Sequence, residues 1–501
     1  MSSSRWYALR VGLFASIGTF LYGFDTGIAT TTIAHQSWID YMHHPTHALT
    51  GAVVAIYIAG EAVGALTQTV IGDRLGRIRF MQLMCTIVTV GAAIQTASIN
   101  IGMFLVGRAL AGIAVGGMLC GVPIYLSEIS PPKHRGLIGS VSGLGVSFGT
   151  MTSNWVGLAC SYASYGPKQW RLPLGLQIPW GVILFIGLAT FMPNSPRHLV
   201  RQGKIAEAHH AFMKLHDDLT RDQAEEEFNL MRRQIDYEMS REITSLREVF
   251  IRFRHRALIA ISVQTMTSLT GVNVIQVNSP APSRDQQIQW LITILFRGLG
   301  ISDKNVLVLV GAYGAIAFIV NAISAVLLTD RWGRRKMLLT GMAVIVLVEI
   351  YTAIMQDQFQ ATDNSVGKAF AVLGIFLFII GFYGLLISTS YVYAAEVLPI
   401  ALRSRVMGLA IASHFIVNVA ITEAGPTAFA TIKQNYYYVF VACTTFFFVV
   451  AYFYFPETTQ KSLEEIAAAF GDRVVPADDN KPSDKVTAEQ DKGDVMHIEM
   501  R

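Results

Sequence analysis

The chain is 501 residues long, with 52% hydrophobic and only 15% charged side chains, against about 25% charged in an ordinary soluble domain. That balance excludes a water-soluble globular fold and places the chain in a lipid bilayer. The formal net charge is +4, but Lys and Arg gather in short loops beside apolar runs, a pattern of membrane orientation that excludes a nucleic-acid partner.

The first apolar run is too long for the core of a secretory signal and carries Asp25 where a small-residue cleavage site would stand, so it reads as a first span. Runs of about 20 apolar residues, each able to cross a hydrocarbon core of ~30 Å, begin near Val11, Ala52, Phe80, Gly102, Leu137 and Leu172, and again near Ala257, Asn305, Met337, Lys368, Val406 and Tyr436. The expectation is an all-α membrane protein of twelve transmembrane helices. An N-terminal six-helix bundle over 1–196 and a C-terminal one over 257–460 are joined by a cytoplasmic linker over 197–256, and a cytoplasmic tail occupies 461–501. The linker contains Arg221-Asp-Gln-Ala-Glu-Glu-Glu227, too charged to insert and too long for a turn, so short amphipathic helices are expected there. The tail is rich in Asp, Lys and Glu and should hold one short helix at Leu463 to Phe470. Cys85, Cys120, Cys160 and Cys443 all lie in apolar runs and read as small buried thiols.

Arg74, Arg77 and Arg79 follow span two. Lys133, His134 and Arg135 follow span four, Arg331, Arg334, Arg335 and Lys336 span eight, and Arg403 and Arg405 span ten. These loops read as cytoplasmic, whereas Ala34 to Thr50 has four histidines and no Lys or Arg. Both termini are therefore expected in the cytoplasm.

Three marks recur in the same order. Asp73-Arg74-Leu-Gly-Arg77 returns as Asp330-Arg331-Trp-Gly-Arg334, Glu128-Ile-Ser-Pro with Arg135 returns as Glu396-Val-Leu-Pro with Arg403, and Pro193-Asn-Ser-Pro-Arg197 is answered by Pro456-Glu-Thr-Thr459. Two parallel repeats account for the order. Charges at neighbouring helix ends pair only when those ends meet. Asp73, Arg74, Arg77, Glu128 and Arg135, with Asp330, Arg331, Arg334, Glu396 and Arg403, thus form a candidate cytoplasmic latch, the alternative being that they only fix topology.

These motifs, with Trp170-Arg-Leu-Pro-Leu-Gly-Leu-Gln177, Ser390-Tyr-Val-Tyr-Ala-Ala-Glu396 and Leu463-Glu-Glu-Ile466, resemble the sugar porter family of the major facilitator superfamily, its fungal members in particular. The resemblance implies the major facilitator fold and alternating access to a central site between the bundles. It also implies that Asp25, in Tyr22-Gly-Phe-Asp-Thr-Gly27, faces Arg108 as in proton-coupled members. An acid in mid-span costs at least ~2.5 kcal/mol and marks an ion path; a structural buried pair is the other reading. Glu61, Glu423 and His414 are further polar groups within spans.

The solute site that the resemblance implies is Gln264, Thr267, Ser268, Asn273, Asn321, Tyr391, His414 and Asn418. Several amide positions of the family differ here: the span-five glutamine falls on Gly143, and the Gly-Pro pair before Tyr391 on Ile387-Ser388. After Asn273 the chain reads Val277-Asn-Ser-Pro-Ala-Pro-Ser-Arg-Asp-Gln-Gln-Ile-Gln289, about a dozen residues more than the family pattern, either an unusual outer loop or translated intron sequence. Neither a metal-ligand cluster nor a nucleophile with a base is present, so no enzyme and no cofactor is expected beyond a proton as coupling ion. The expected function is proton-coupled import of a sugar or sugar-like solute by a monomer in the plasma membrane. A facilitator or exporter of a polyol, quinate-like acid or other small organic solute is the alternative, and a sensor a third reading.

Overall fold

A computed structural model describes residues 4–33, 35–131, 134–216, 220–240, 253–272, 278–279, 289–290, 303–359, 362, 364–432, 435–459, 461, 465–466, 468 and 470. The first span is a helix pair, Ser4–Ala15 and Ile17–Ile33, followed by His47–Leu75, Arg77–Ala97, Ile101–Ile129 and Arg135–Ser161. The sixth span is again a pair, Lys168–Gly175 and Gln177–Thr190. The second half runs through Arg254–Leu269, Asp303–Leu327 and Arg334–Phe359, then Ser365–Gly381 with Ile387–Val397, Ile400–Ile432 and Tyr436–Tyr454. Between the two parts of span ten, Phe382–Leu386 forms a π turn. Two helix starts show why the chain turns where it does: Asn100 accepts the Met103 amide at 2.8 Å, and Asn364 accepts those of Val366 and Gly367 at 3.1 Å.

Among the described residues ten helices are long and apolar enough to cross a membrane. The fifth and seventh spans fall short for different reasons. The fifth is 27 residues long but rich in Gly and Ser, while the seventh is described for only 16 helical residues. Large apolar side chains such as Val70, Val326, Leu347 and Phe453 are exposed on the outer surface, as a lipid-facing surface requires. Of the 277–289 segment only Asn278–Ser279 and Gln289 are described, in a two-residue antiparallel pairing that ends at Trp290; this lies outside the all-helical expectation.

Small residues in the fifth span serve packing. A Cβ on Gly23 would lie 2.1 Å from the Val146 carbonyl oxygen and one on Gly149 2.2 Å from that of Phe20, so spans one and five touch backbone to backbone. Spans two and four do the same, since a Cβ on Gly64 would meet the Ile113 carbonyl at 2.0 Å and one on Gly112 that of Tyr57 at 2.3 Å. Such contacts replace the hydrophobic drive that lipid cannot supply between helices.

The halves meet along spans two and eleven and spans five and eight. Gln68 donates to the Ser404 hydroxyl at 2.6 Å and Thr69 to the Arg405 carbonyl at 3.1 Å. The Asp330 carboxylate accepts the Leu137 amide at 2.9 Å. Between the halves in sequence, Pro196–Arg201, Ile205–Leu215 and Arg221–Ser240 are short helices with a small core of their own, including Leu199, Phe212, Phe228 and Ile235.

Candidate functional site: charge pairs and a polar box in two helix bundles

Asp25 and Arg108 meet inside the first bundle. The Arg108 Nη1 donates to both carboxylate oxygens of Asp25, at 3.1 and 3.2 Å, and the two side chains are 0% and 3% exposed. Gln177, at the helix break of span six, adds a third donor at 2.8 Å. Beneath the guanidinium, the Tyr57 ring centroid lies 3.7 Å from the Arg108 Cζ, and the Tyr57 hydroxyl is 3.2 Å from that of Thr26. Both Asp25 oxygens are thus met by protein donors in a buried site, where a charge–charge contact is strong and an unpaired charge costly, while the Arg108 Nε has no partner among the described residues. Uptake of a proton by Asp25 would cancel one charge and release Arg108 to another partner. Gln177 and Tyr57 carried no role in the sequence reading. Gln177 closes a quoted motif, and Tyr57 precedes Glu61 by one helical turn. Glu423 is exposed on span eleven.

At one end of the bundles the three marks of each half converge. In the first half Arg77 donates to Glu128 at 2.6 Å and to Asp73 at 2.8 Å, and the Tyr125 hydroxyl donates to the Pro193 carbonyl at 2.7 Å. In the second, Arg334 reaches Asp330 at 3.2 Å and Glu396 at 3.4 Å, and the Tyr393 hydroxyl donates to the Pro456 carbonyl at 2.8 Å. Thr458 also donates to Glu396 at 2.7 Å. Glu457 accepts the Arg334 amide at 2.9 Å and so caps the start of span nine from another segment. Burial works to raise its carboxyl, but bonds from Thr459 and from the Arg334 and Arg335 amides hold it below the usual carboxylate range.

Two expectations about these clusters are corrected. In each motif the second arginine, Arg77 or Arg334, is buried and makes the bonds, while Arg74 and Arg331 are exposed. Arg403 does not bond the Asp330 loop of its own half. It donates to the Leu398 carbonyl at 3.1 Å and, across the halves, to the Ser127 hydroxyl at 3.4 Å. Arg135 donates to the Lys461 carbonyl at 3.1 Å, tying the start of span five to the start of the tail.

His198 lies against the first cluster, its Nδ1 3.4 Å from the Arg77 Nη1 and its Nε2 2.8 Å from the Gln202 amide. Burial and then the Arg77 charge pull its pKa down from 6.5 to about 4. The neutral ring is the folded form. The stability it contributes is present above pH 6.5 and lost as pH falls toward 4. Acidifying the purified protein through that window should lower its melting temperature less steeply in His198→Gln than in wild type. Equal slopes would contradict a neutral His198 in the cluster.

The candidate solute residues divide. Gln264, Thr267 and Ser268 of span seven gather on His414 of span eleven. The His414 Nδ1 is 3.0 Å from the Thr267 hydroxyl and 2.8 Å from that of Ser268, and Gln264 donates to the Ser390 carbonyl at 3.3 Å. Asn321 is engaged by span ten, donating to the Tyr383 carbonyl at 2.9 Å and accepting from Ser388 at 3.0 Å. Asn418 accepts from Thr422 within its own helix at 3.2 Å. Tyr391 is buried, and Asn273 lies outside the described residues. The lost span-five amide leaves no gap: a Cβ on Gly143 would lie 2.2 Å from the Ser388 hydroxyl and 2.9 Å from its Cα. Close approach of spans five and ten fills the space instead.

The two bundles meet along spans two and eleven and spans five and eight, with an acid–guanidinium pair in one, a hydroxyl and imidazole box in the other and twinned charge clusters at one end. The description "Sugar (and other) transporter" fits the chain over residues 11–470. The MFS-type transporter criB of Aspergillus cristatus is 32% identical over 93% of both chains. The sugar transporter STL1 of Saccharomyces cerevisiae is 27% identical over 90% of this chain and 79% of its own. Among solved structures, the proton:xylose symporter XylE bound to 6-bromo-6-deoxy-D-glucose shares the fold at a TM-score of 0.80 and 18% identity, covering 93% of this chain and 99% of its own. The inward-open XylE of E. coli matches at 0.65 and 17%, over 92% and 100%. The chain belongs to the sugar transporter family of the major facilitator superfamily, a multi-pass integral membrane transporter and not an enzyme.

Proposed function

We propose that the protein is a proton-coupled importer of a sugar or sugar-like polar solute, working by alternating access. The observation that carries this reading is the buried Asp25–Arg108 pair, an ionisable acid in a membrane helix held by Arg108 and Gln177. A proton:xylose symporter is among the solved proteins of the same fold. Residues 1–196 and 257–460 act as the two moving bodies and 197–256 as the tether between them. The Arg77 and Arg334 clusters are the cytoplasmic latch, and Gln264, Thr267, Ser268, Asn273, Asn321, Tyr391, His414 and Asn418 bound the solute path. The protein works as a monomer in the plasma membrane with both termini in the cytoplasm.

A second reading concerns the solute. Gly143 against Ser388 and His414 bonded to two hydroxyls replace amides suited to adjacent sugar hydroxyls, which favours a polyol, a quinate-like acid or another small organic solute. Uptake of a labelled panel of sugars, polyols and acids in a transporter-null cell, with and without a protonophore, tests both readings. Accumulation of one class that collapses with the protonophore is the expected result. Uptake that equilibrates and ignores the protonophore would remove proton coupling and leave facilitation.

A further inference from the structure

Glu61 lies on span two, one helical turn beyond Tyr57, and is 2% exposed. One of its carboxylate oxygens, Oε1, has no hydrogen-bond partner among the described residues, and neither has the Arg108 Nε. The helix cannot turn this acid away. A Cβ on Gly116 would sit 2.2 Å from the Glu61 carbonyl oxygen, and one on Gly112 3.2 Å from its amide nitrogen, so span two is pressed onto span four, the helix that bears Arg108. The groups facing Glu61 are Arg108 of span four, Asp25 and Tyr22 of span one, Tyr57 of its own helix and Tyr391 of span ten.

Asp25, Glu61 and Arg108 are two acids and one cation in a water-poor site. With both acids ionised the group carries a net negative charge, which burial strongly disfavours. Holding one proton makes it neutral. In this structure Arg108 contacts both oxygens of Asp25, so the proton belongs on Glu61. Residues four apart on a helix share a face, about 5.4 Å along the axis. Arg108 already lies on the Tyr57 ring, and sliding across that ring by one turn brings its guanidinium to Glu61.

We propose that Glu61 is a second carboxyl of the proton site: it holds the proton while Arg108 pairs with Asp25, and gives it up to take Arg108 when Asp25 is protonated. The step balances. Asp25 takes one proton from water and becomes neutral, the O–H bond of Glu61 breaks and releases one proton to water, and the guanidinium exchanges one carboxylate for the other. The triad stays neutral throughout. This rests on the proton-coupled reading of the Asp25–Arg108 pair, but its test needs neither a solute nor transport.

Infrared spectra of the full-length reconstituted protein at neutral pH report a protonated carboxyl by its carbonyl stretch. Wild type minus Glu61→Gln should show one such band, and Glu61→Asp should keep it at a shifted frequency. Wild type minus Asp25→Asn should show the same band, because without Asp25 the guanidinium pairs with Glu61 and ionises it. Wild-type and Glu61→Gln spectra that coincide in this region would overturn the proposal, as would a Glu61 band that survives in Asp25→Asn. In uptake, Glu61→Gln should lower the accumulation ratio at least about tenfold, out of the roughly fiftyfold that one proton supports across ~100 mV, and slow solute exchange by much less. An equal loss in both would assign Glu61 a packing role and overturn its part in coupling. Accumulation already insensitive to a protonophore in wild type would instead count against the proton-coupled reading, leaving the spectra to decide the triad.

Discussion

Asp25→Asn should reduce accumulation of the transported solute to its equilibrium level. Asparagine keeps the shape of the side chain and one oxygen for Arg108 and Gln177, so the site remains packed. What it loses is the ability to exchange a proton. One proton falling through ~100 mV and one pH unit supplies roughly 3.7 kcal/mol, a few-hundredfold concentration ratio. The whole of that ratio should vanish, while exchange of labelled for unlabelled solute, which needs no net proton flow, continues. Concentrative uptake retained by Asp25→Asn at low external solute would remove Asp25 from the coupling step. Arg108→Gln is the complementary variant, leaving an acid with no cation, and it too should lose accumulation.

The second large effect lies at the end of the bundles where Arg77 meets Glu128. Glu128→Gln leaves Arg77 with only Asp73, itself partly exposed, and withdraws the acid whose charge also acts on Arg403. Removing one member of a buried pair costs about 3–5 kcal/mol; with Asp73 still present the lower end applies, about a hundredfold in a two-state equilibrium. That cost falls on the arrangement in which the pair is made, so this end should open more often. A cysteine replacing Ser140, which is buried and lies 3.3 Å from Thr329 of the other half, reports the opening. Its alkylation in inside-out vesicles should accelerate markedly in Glu128→Gln and much less in Arg77→Gln/Glu128→Gln, where the buried Arg77 cation leaves with its acid and Asp73 keeps Arg201. Unchanged alkylation would mean that Arg77 and Glu128 fix the helix ends without biasing the cycle.

Much of this was legible in the sequence because membrane helices announce themselves by length and because the repeat constrains its members in pairs. Asp73 and Asp330, Glu128 and Glu396, and Pro193 and Pro456 could be matched by their recurring motifs and order, and the structure brings each set to one end of its half. Spacing could not choose between Arg74 and Arg77, because that depends on which residue the turn at Gly76, with φ of +81°, points inward. Gln177 and Tyr57 escaped notice for a related reason: both come from helices far along the chain from Asp25, and only the bundle brings them to it. Glu349 was also missed. It is buried in span nine, and neither carboxylate oxygen has a partner among the described residues. The solute site was the least legible part. Gly143 read as a missing hydrogen bond, whereas in three dimensions it is the space that Ser388 occupies.

The π turn at Phe382–Leu386 bears on how span ten is inherited. Such a turn is an α-helix with one residue too many, and each extra residue rotates everything beyond it by about 100°. Tyr391 and Glu396 therefore owe their bearing to a single codon upstream. Losing that codon would keep every side chain of the lower part of span ten, yet swing Tyr391 and Glu396 out of phase with the partner helices. A gain or loss of one residue there can thus disable the carrier, or give it a new wall, without any substitution at the wall itself.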